Sequence, residues 1–191
     1  MKTFRTAAML LLMGCLMSLT GCVQITGEMN PDKSAYHATQ GFPITHPLHE
    51  NVAIGKVEDF PGTSIFAIMG KTSPNLTEET AEEALAETLS SVDLLAPTDA
   101  DDYSLDMKLV DSGEMGFAGW ETSLNGIQRT TIIHYTLQSV HSDETPYSKS
   151  ITTTGKSDGG GIAFYLVERE AAEDAMRKNL EQMISDLKLI E

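Results

Sequence analysis

The chain has 191 residues, about the length of one domain, and carries 13 Lys and Arg against 28 Asp and Glu. Its net charge of −15 argues against a nucleic-acid-binding protein, because binding to a polyanion depends on cations that displace counterions from phosphates. With 41% hydrophobic and 21% charged residues, the composition is typical of a globular chain. Both cysteines, Cys15 and Cys22, lie near the N-terminus, so the rest of the chain can form neither an internal disulfide nor a thiolate zinc site.

The first 22 residues have the organisation of an export signal. Lys2 and Arg5 form a short basic start, residues 7–19 are nearly all apolar, and small residues precede Cys22. The run from Ala7 to Cys22 is shorter than the ~20 apolar residues that a membrane-spanning helix needs. We therefore predict a leader at residues 1–21 that is cleaved, rather than a transmembrane helix.

The segment Leu19-Thr20-Gly21-Cys22 resembles the lipobox of bacterial lipoproteins. The resemblance implies that the Cys22 thiol receives a diacylglyceryl group, that cleavage falls between Gly21 and Cys22, and that the new N-terminus is acylated as well. Two or three acyl chains hold a protein firmly at a bilayer, whereas a single chain binds only marginally. By resemblance to enterobacterial lipoproteins, Val23 in place of Asp favours the outer membrane, with the domain facing the periplasm. Cleavage removes two basic residues and no acidic ones, which takes the net charge to −17.

The mature chain is expected to consist of a flexible tether, residues 22–50, and one periplasmic domain, residues 51–191. Polar residues dominate the tether, and Pro31, Pro43 and Pro47 interrupt any helix there. Such a tether would let the domain stand away from the membrane.

The first half of the domain shows a strand and a helix. Val52 and Ile54 indicate a strand, and residues 65–69 form a short apolar run, either a strand or a buried loop. A helix is predicted to begin after Thr77, a candidate N-cap, with a capping box at residues 80–83. Its apolar residues recur every three or four positions and form one stripe: Ala81, Ala84, Leu85, Thr88, Leu89 and Val92.

The second half shows three strands and a long helix. Alternation predicts strands at residues 103–109, 127–140 and 147–154, the last two joined as a hairpin. In the middle strand Ile133, Tyr135 and Leu137 share one face, and His134, Thr136 and Gln138 share the other. The final helix, ending near residue 187, carries one apolar face: Ala172, Ala175, Met176, Leu180, Met183, Ile184 and Leu187. This order indicates an α+β fold, a two-layer sandwich of a mostly antiparallel sheet with two helices on one face.

In element order, residues 51–190 are similar to small two-layer envelope lipoproteins, such as the lipopolysaccharide-assembly partner and the auxiliary lipoproteins of transport systems. The similarity rests on element order alone, and a shared fold does not carry a function.

Candidate chemical sites have ordinary structural explanations. His46 and His49 lie in a polar segment, residues 99–102 form an acidic turn without the spacing of a calcium loop, and the glycines at 159–161 lack a following Lys-Ser or Lys-Thr pair. No recognisable nucleophile motif with its base occurs. We therefore expect neither a metal site nor a cofactor, and no enzymatic activity.

Met115, Phe117 and Trp120 lie among glycines between two predicted strands. Exposed on a loop, they would suit contact with a protein partner or with the membrane surface, and folded back they would cover the open face of the sheet. The expected role is therefore a non-catalytic accessory or scaffold in an envelope complex with a protein partner and without nucleic acid. The alternative is a periplasmic carrier that holds a small molecule or lipid between the helices and the sheet.

Overall fold

The structure, a computed structural model, describes residues 28–61, 76–97, 102–113, 127–157 and 164–190. The elements of these ranges follow in chain order: α1 (Pro31–Ser34), β1 (Val52–Glu58), α2 (Glu78–Ser91), β2 (Tyr103–Asp111), β3 (Gln128–Ser139), β4 (Tyr147–Lys156) and α3 (Phe164–Leu187). The predicted leader, the 65–69 run and the glycines at 159–161 lie outside the described residues.

The four strands form one mixed sheet in the order β1-β2-β3-β4. β1 and β2 are parallel, whereas β2, β3 and β4 pair antiparallel. The parallel pair follows from α2, which crosses one face of the sheet and returns the chain to the end where β1 began. The two antiparallel pairings agree with the mostly antiparallel sheet expected from the sequence.

The helices cover one face of the sheet and confirm the two-layer α+β sandwich. α2 packs against β1, α3 packs against β3 and β4, and the short α1 contacts both long helices. The predicted apolar stripes of α2 and α3 are buried in one core with Ile133, Tyr135 and Leu137 of β3. The opposite sheet face carries the polar residues of the alternating pattern, as expected for a sheet buried on one side.

The start of α2 differs in detail from the prediction. Thr77 is the N-cap, and its hydroxyl accepts a hydrogen bond from the backbone N–H of Thr80. The Thr80 hydroxyl in turn accepts a bond from the backbone N–H of Thr77, so the capping box spans residues 77–80 rather than 80–83. The predicted box was wrong by one turn because a threonine at the third helical position performs the reciprocal bond that the sequence pattern assigns to glutamate.

Residues 28–50 differ from the predicted tether, because they pack on the domain. Met29, Phe42 and Leu48 are buried in the main core. The backbone of this segment is also bonded to the α2 region, since the Phe42 N–H donates to Val92 O at 2.8 Å and the Glu50 N–H donates to Asp93 O at 2.8 Å. The folded domain therefore includes residues 28–50, and the boundary expected at residue 51 is wrong for this part of the chain.

Two contacts fix α3 against β4. A Cβ at Gly155 would overlap the backbone of Ala171 and Ala175, so glycine permits the close approach of helix and strand. The buried Asn179 amide donates to Ile151 O at 3.0 Å and to Thr153 Oγ1 at 3.1 Å. α3 thereby bonds to both the backbone and a side chain of β4.

Candidate functional site

The residues that the sequence singles out for anchoring and contact lie outside the described residues. These are Gly21 and Cys22 at the predicted cleavage and lipidation site, and Met115, Phe117 and Trp120 in the predicted contact loop. The described residues on either side of these segments show where each one leaves the domain. Glu28 follows the first segment, and Gly113 and Ile127 flank the second.

These flanking residues lie at one end of the sandwich, which we call the Glu28 end. The Glu28 carboxylate accepts a hydrogen bond from Thr77 Oγ1 at 3.0 Å, at the start of α2. Gln128 at the start of β3 pairs with Lys156 at the end of β4, and Asp111 at the end of β2 pairs with Ile132. The segment that leads from the predicted anchor therefore joins the domain at the same end as the predicted contact loop.

The opposite end of the sandwich, the hairpin end, carries the β3–β4 turn. The Asp102 carboxylate accepts a hydrogen bond from the Asn51 amide at 2.8 Å and pairs with His141 Nε2 at 3.0 Å. The Asn51 bond, followed by the His141 bond, holds the pKa of the Asp102 carboxyl below its usual value. This cluster joins the turn to the start of β1 and β2, which gives its histidine a structural role.

At the Glu28 end, the chain enters beside a groove of about 270 Å³ between α1, the end of β4 and α3. The Asn30 N–H donates to Glu173 Oε1 at 2.9 Å, which fixes the entering chain to α3. Lys33, Lys156 and Arg177 line the groove with three carboxylates, those of Glu170, Glu173 and Asp174. Basic residues from three distant parts of the sequence therefore meet where the chain enters the domain.

Asp174 organises the basic residues at this groove. Its carboxylate accepts hydrogen bonds from Lys178 Nζ at 2.6 Å, from the backbone N–H of Lys156 at 2.9 Å and from Arg177. Burial raises the pKa of the Asp174 carboxyl, but the bonds from Lys178 and Lys156 outweigh it and hold that pKa below its usual value. Asp174 therefore stays charged at neutral pH and keeps the side chains of Arg177 and Lys178 in place.

His134 is the histidine on the open face of the sheet. Its Nδ1 lies 2.9 Å from Ser150 Oγ and its Nε2 lies 3.3 Å from Ser148 Oγ. A serine beside a histidine is the first requirement of nucleophilic catalysis, but the second ring nitrogen then needs a group that orients it as a base. Here that nitrogen faces another serine, so the arrangement is a polar cross-strand ladder rather than a catalytic triad.

The histidines near the N-terminal segment also have structural partners. His46 packs edge-on against Phe42, and its Nδ1 accepts a hydrogen bond from the Leu48 N–H at 3.2 Å. Asp32, His37 and Glu87 bring ligand atoms within 4.8 Å of one another. The side chains of Asp32 and His37 are 79% and 52% exposed, so water can satisfy them and their proximity alone does not indicate a bound ion.

A cavity of about 440 Å³ also opens at the Glu28 end. It is lined by Asp59, Pro61 and the end of β2 with the residues that follow, 109–113. Its described lining includes no residue of α2 or α3, whereas the alternative carrier function would place a ligand between these helices and the sheet. Asp59 and Asp111 are among the lining residues. A site for an apolar ligand is expected to be lined mostly by apolar side chains.

Among the described residues, no helix is both long and apolar enough to span a bilayer. No protein-family model and no curated protein match the chain. Three similar solved structures are a Xanthomonas campestris protein of family DUF330, a candidate lipoprotein from Caulobacter crescentus, and a dodecameric PelC variant from Paraburkholderia phytofirmans.

The Xanthomonas protein is 14% identical, with a TM-score of 0.55 over 82% of this chain and 94% of its own. The Caulobacter protein is 9% identical, with a TM-score of 0.48 over 74% and 90% of the two chains. PelC is 13% identical, with a TM-score of 0.48 over 75% and 91%. At this identity the first likeness concerns the fold, and the other two scores are too low to support an argument. The chain therefore shares its two-layer architecture with the DUF330 protein.

Proposed function

We propose that the protein is a lipid-anchored bacterial envelope protein, attached through Cys22, whose domain has a non-catalytic accessory or scaffold role in an envelope complex. The observation that carries the proposal is the lipobox-like segment Leu19–Cys22 at the end of an export leader. The proposed membrane is the outer one, on the resemblance to enterobacterial lipoproteins, with the domain in the periplasm.

The polar clusters of the described residues support a role without catalysis. His134 bridges two serines of β4, His141 with Asp102 holds the hairpin, and Asp174 organises basic side chains around the groove. Each of these groups is engaged in a contact that stabilises the fold. The proposed role is therefore to hold a surface at a fixed place on the membrane for a protein partner.

Replacement of Cys22 by alanine tests the anchor. We expect the wild-type protein to incorporate an alkyne-labelled palmitate and to sediment with membranes, and Cys22→Ala to lose both properties. Cys15→Ala is the matched control, because it removes the other cysteine and leaves the apolar character of the leader intact. Continued labelling and membrane association of Cys22→Ala would overturn the proposed anchor.

Density-gradient separation of the two membranes tests the proposed outer-membrane location. A major fraction of the protein in the inner membrane would contradict it.

In-cell crosslinking of the lipidated protein, followed by mass spectrometry, tests the scaffold role. A reproducible stoichiometric protein partner is the expected outcome. A co-purifying lipid or small molecule without a protein partner would instead support the carrier function.

A further inference from the structure

Two polar atoms in the core between α3 and the sheet have no hydrogen-bonding partner among the residues that the structure describes. They are the side-chain oxygens Thr131 Oγ1 of β3 and Asn179 Oδ1 of α3. Thr131 is 1% exposed, and Asn179 is fully buried. Nearly all buried polar groups in folded proteins bond either to another protein group or to ordered water, so both oxygens need an explanation.

The orientation of the Asn179 amide is fixed by its nitrogen. Nδ2 donates a hydrogen bond to Ile151 O at 3.0 Å and another to Thr153 Oγ1 at 3.1 Å. If the amide were turned over, its oxygen would face the Ile151 carbonyl oxygen, and two acceptors cannot form a hydrogen bond. The atom that lacks a partner is therefore the amide oxygen, which can only accept a hydrogen bond.

The Thr131 hydroxyl lies beside the same threonine as the Asn179 amide. Thr131 and Thr153 are directly paired across β3 and β4, so their side chains share one face of the sheet with Cβ atoms about 5 Å apart. The Thr153 hydroxyl donates its single proton to Ala175 O at 2.8 Å. Thr153 therefore cannot donate to either oxygen, although one of its two lone pairs is still available.

We infer that an internal water molecule binds between α3 and the β3–β4 pair, beside Thr153. The water donates one hydrogen bond to Asn179 Oδ1 and accepts one from the Thr131 hydroxyl. Its second proton is donated to the available lone pair of Thr153 Oγ1. This arrangement gives the water three hydrogen bonds, which is the usual number for a buried water, and it provides a partner for both oxygens.

The surroundings of this site suit a water molecule better than the ligand of a carrier. The neighbouring inward residues, Ile133 on β3 with Met176 and Met183 on α3, are fully buried and offer no side-chain hydrogen-bond donor. The helix also lies close to β4, since a Cβ at Gly155 would overlap the backbone of Ala175. This close approach limits the size of any molecule between helix and strand.

Replacement of Thr131 by valine tests the hydrogen bond to the water, because valine keeps the branched shape and removes the hydroxyl. We expect the equilibrium constant for folding to fall about fivefold, measured by urea denaturation of the purified protein. A hydroxyl without any partner predicts the opposite sign, because its removal relieves a desolvation penalty. Thr152→Val is the matched control, since this exposed threonine is next to Thr153 on β4 and its replacement should leave the urea midpoint unchanged.

A crystal structure of the purified protein, at a resolution that shows ordered water, provides a measurement that needs no variant. We expect density for one water molecule at about 2.7–3.0 Å from both Thr131 Oγ1 and Asn179 Oδ1.

Three results would overturn the inference. The first is an unchanged or higher urea midpoint for Thr131→Val. The second is a crystal structure in which either oxygen bonds to a protein group instead of water. The third is a small molecule other than water at this place, which would also support the carrier function. None of these results depends on the lipidation of Cys22, so the internal water and the proposed anchor are tested separately.

Discussion

Replacement of Phe42 by alanine tests whether residues 28–50 belong to the folded domain. Phe42 is 3% exposed, its ring centroid lies 4.7 Å from that of His46 in an edge-on arrangement, and Lys188 Nζ lies 5.6 Å from the centroid. Truncation of a buried Phe to Ala costs about 3–5 kcal/mol, and an edge-on ring pair accounts for about 1 kcal/mol of such a loss. Because the segment lies on the outside of α2 and can partly collapse, we expect about 3 kcal/mol. For a domain of this size, that lowers Tm by roughly 6–12 °C.

The matched control lies two residues away in the same segment. Ile44 is 84% exposed, so Ile44→Ala should change the free energy of unfolding by less than about 0.5 kcal/mol. Urea denaturation followed by far-ultraviolet circular dichroism measures both variants against the wild type. A flexible tether would make the two substitutions equivalent. If Phe42→Ala unfolds at the wild-type urea midpoint, residues 28–50 do not pack on the core.

Three further predictions concern the helix contact, an ion pair and the predicted contact loop. Gly155→Ala should destabilise the domain by about 2–3 kcal/mol, because the new methyl group meets helix backbone that cannot rotate away; an unchanged urea midpoint would contradict the close approach. Burial raises the pKa of the Asp186 carboxyl, but hydrogen bonds from Lys149 and Tyr147 outweigh burial and hold that pKa below its usual value of 3.8. These bonds therefore stabilise the fold at pH values above 3.8, and their contribution is lost as the pH falls through the lowered pKa of the folded state. Asp186→Asn should therefore lower the free energy of unfolding by about 1 kcal/mol at pH 7 and by less at pH 3. Urea denaturation at the two pH values measures the difference, and an equal loss at both would contradict the stabilising role of the ionised carboxylate. Trp120→Ala should keep Tm within about 2 °C and weaken partner or vesicle binding if the loop is a contact site, whereas a large loss of Tm would support packing over the sheet.

The regular elements were predictable because their patterns are local. The alternation along β3 and the apolar stripe of α2 each describe one element that buries one face, and a period of two or of 3.6 residues is visible without any knowledge of the partner. Segment 28–50 has no such period, because its buried residues Met29, Phe42 and Leu48 are far apart and each fills a separate gap. Its prolines and polar residues therefore resembled a tether, although its backbone bonds to α2.

The groove between α1, the end of β4 and α3 could not be predicted for a related reason. Lys33, Lys156 and Arg177 come from a short helix, a strand end and a long helix, and each is an ordinary surface residue within its own element. The sheet order and the close contact at Gly155 bring them to one groove. No spacing along the chain signals this, because the residues are separated by up to 144 positions.

The sequence by itself determined the four strands, the two long helices, their order, the α+β class and the lipobox-like segment, since each depends on neighbouring residues and on the chemistry of their side chains. It did not indicate the short α1, because a proline normally interrupts a helix and Pro31 occupies the first helical position instead. The tertiary structure alone decided that β1 and β2 are parallel, that residues 28–50 belong to the domain, and that the chain enters beside the groove between α1, the end of β4 and α3. These properties depend on contacts between residues distant in sequence, whose energies are fixed only when the helices and the sheet pack together.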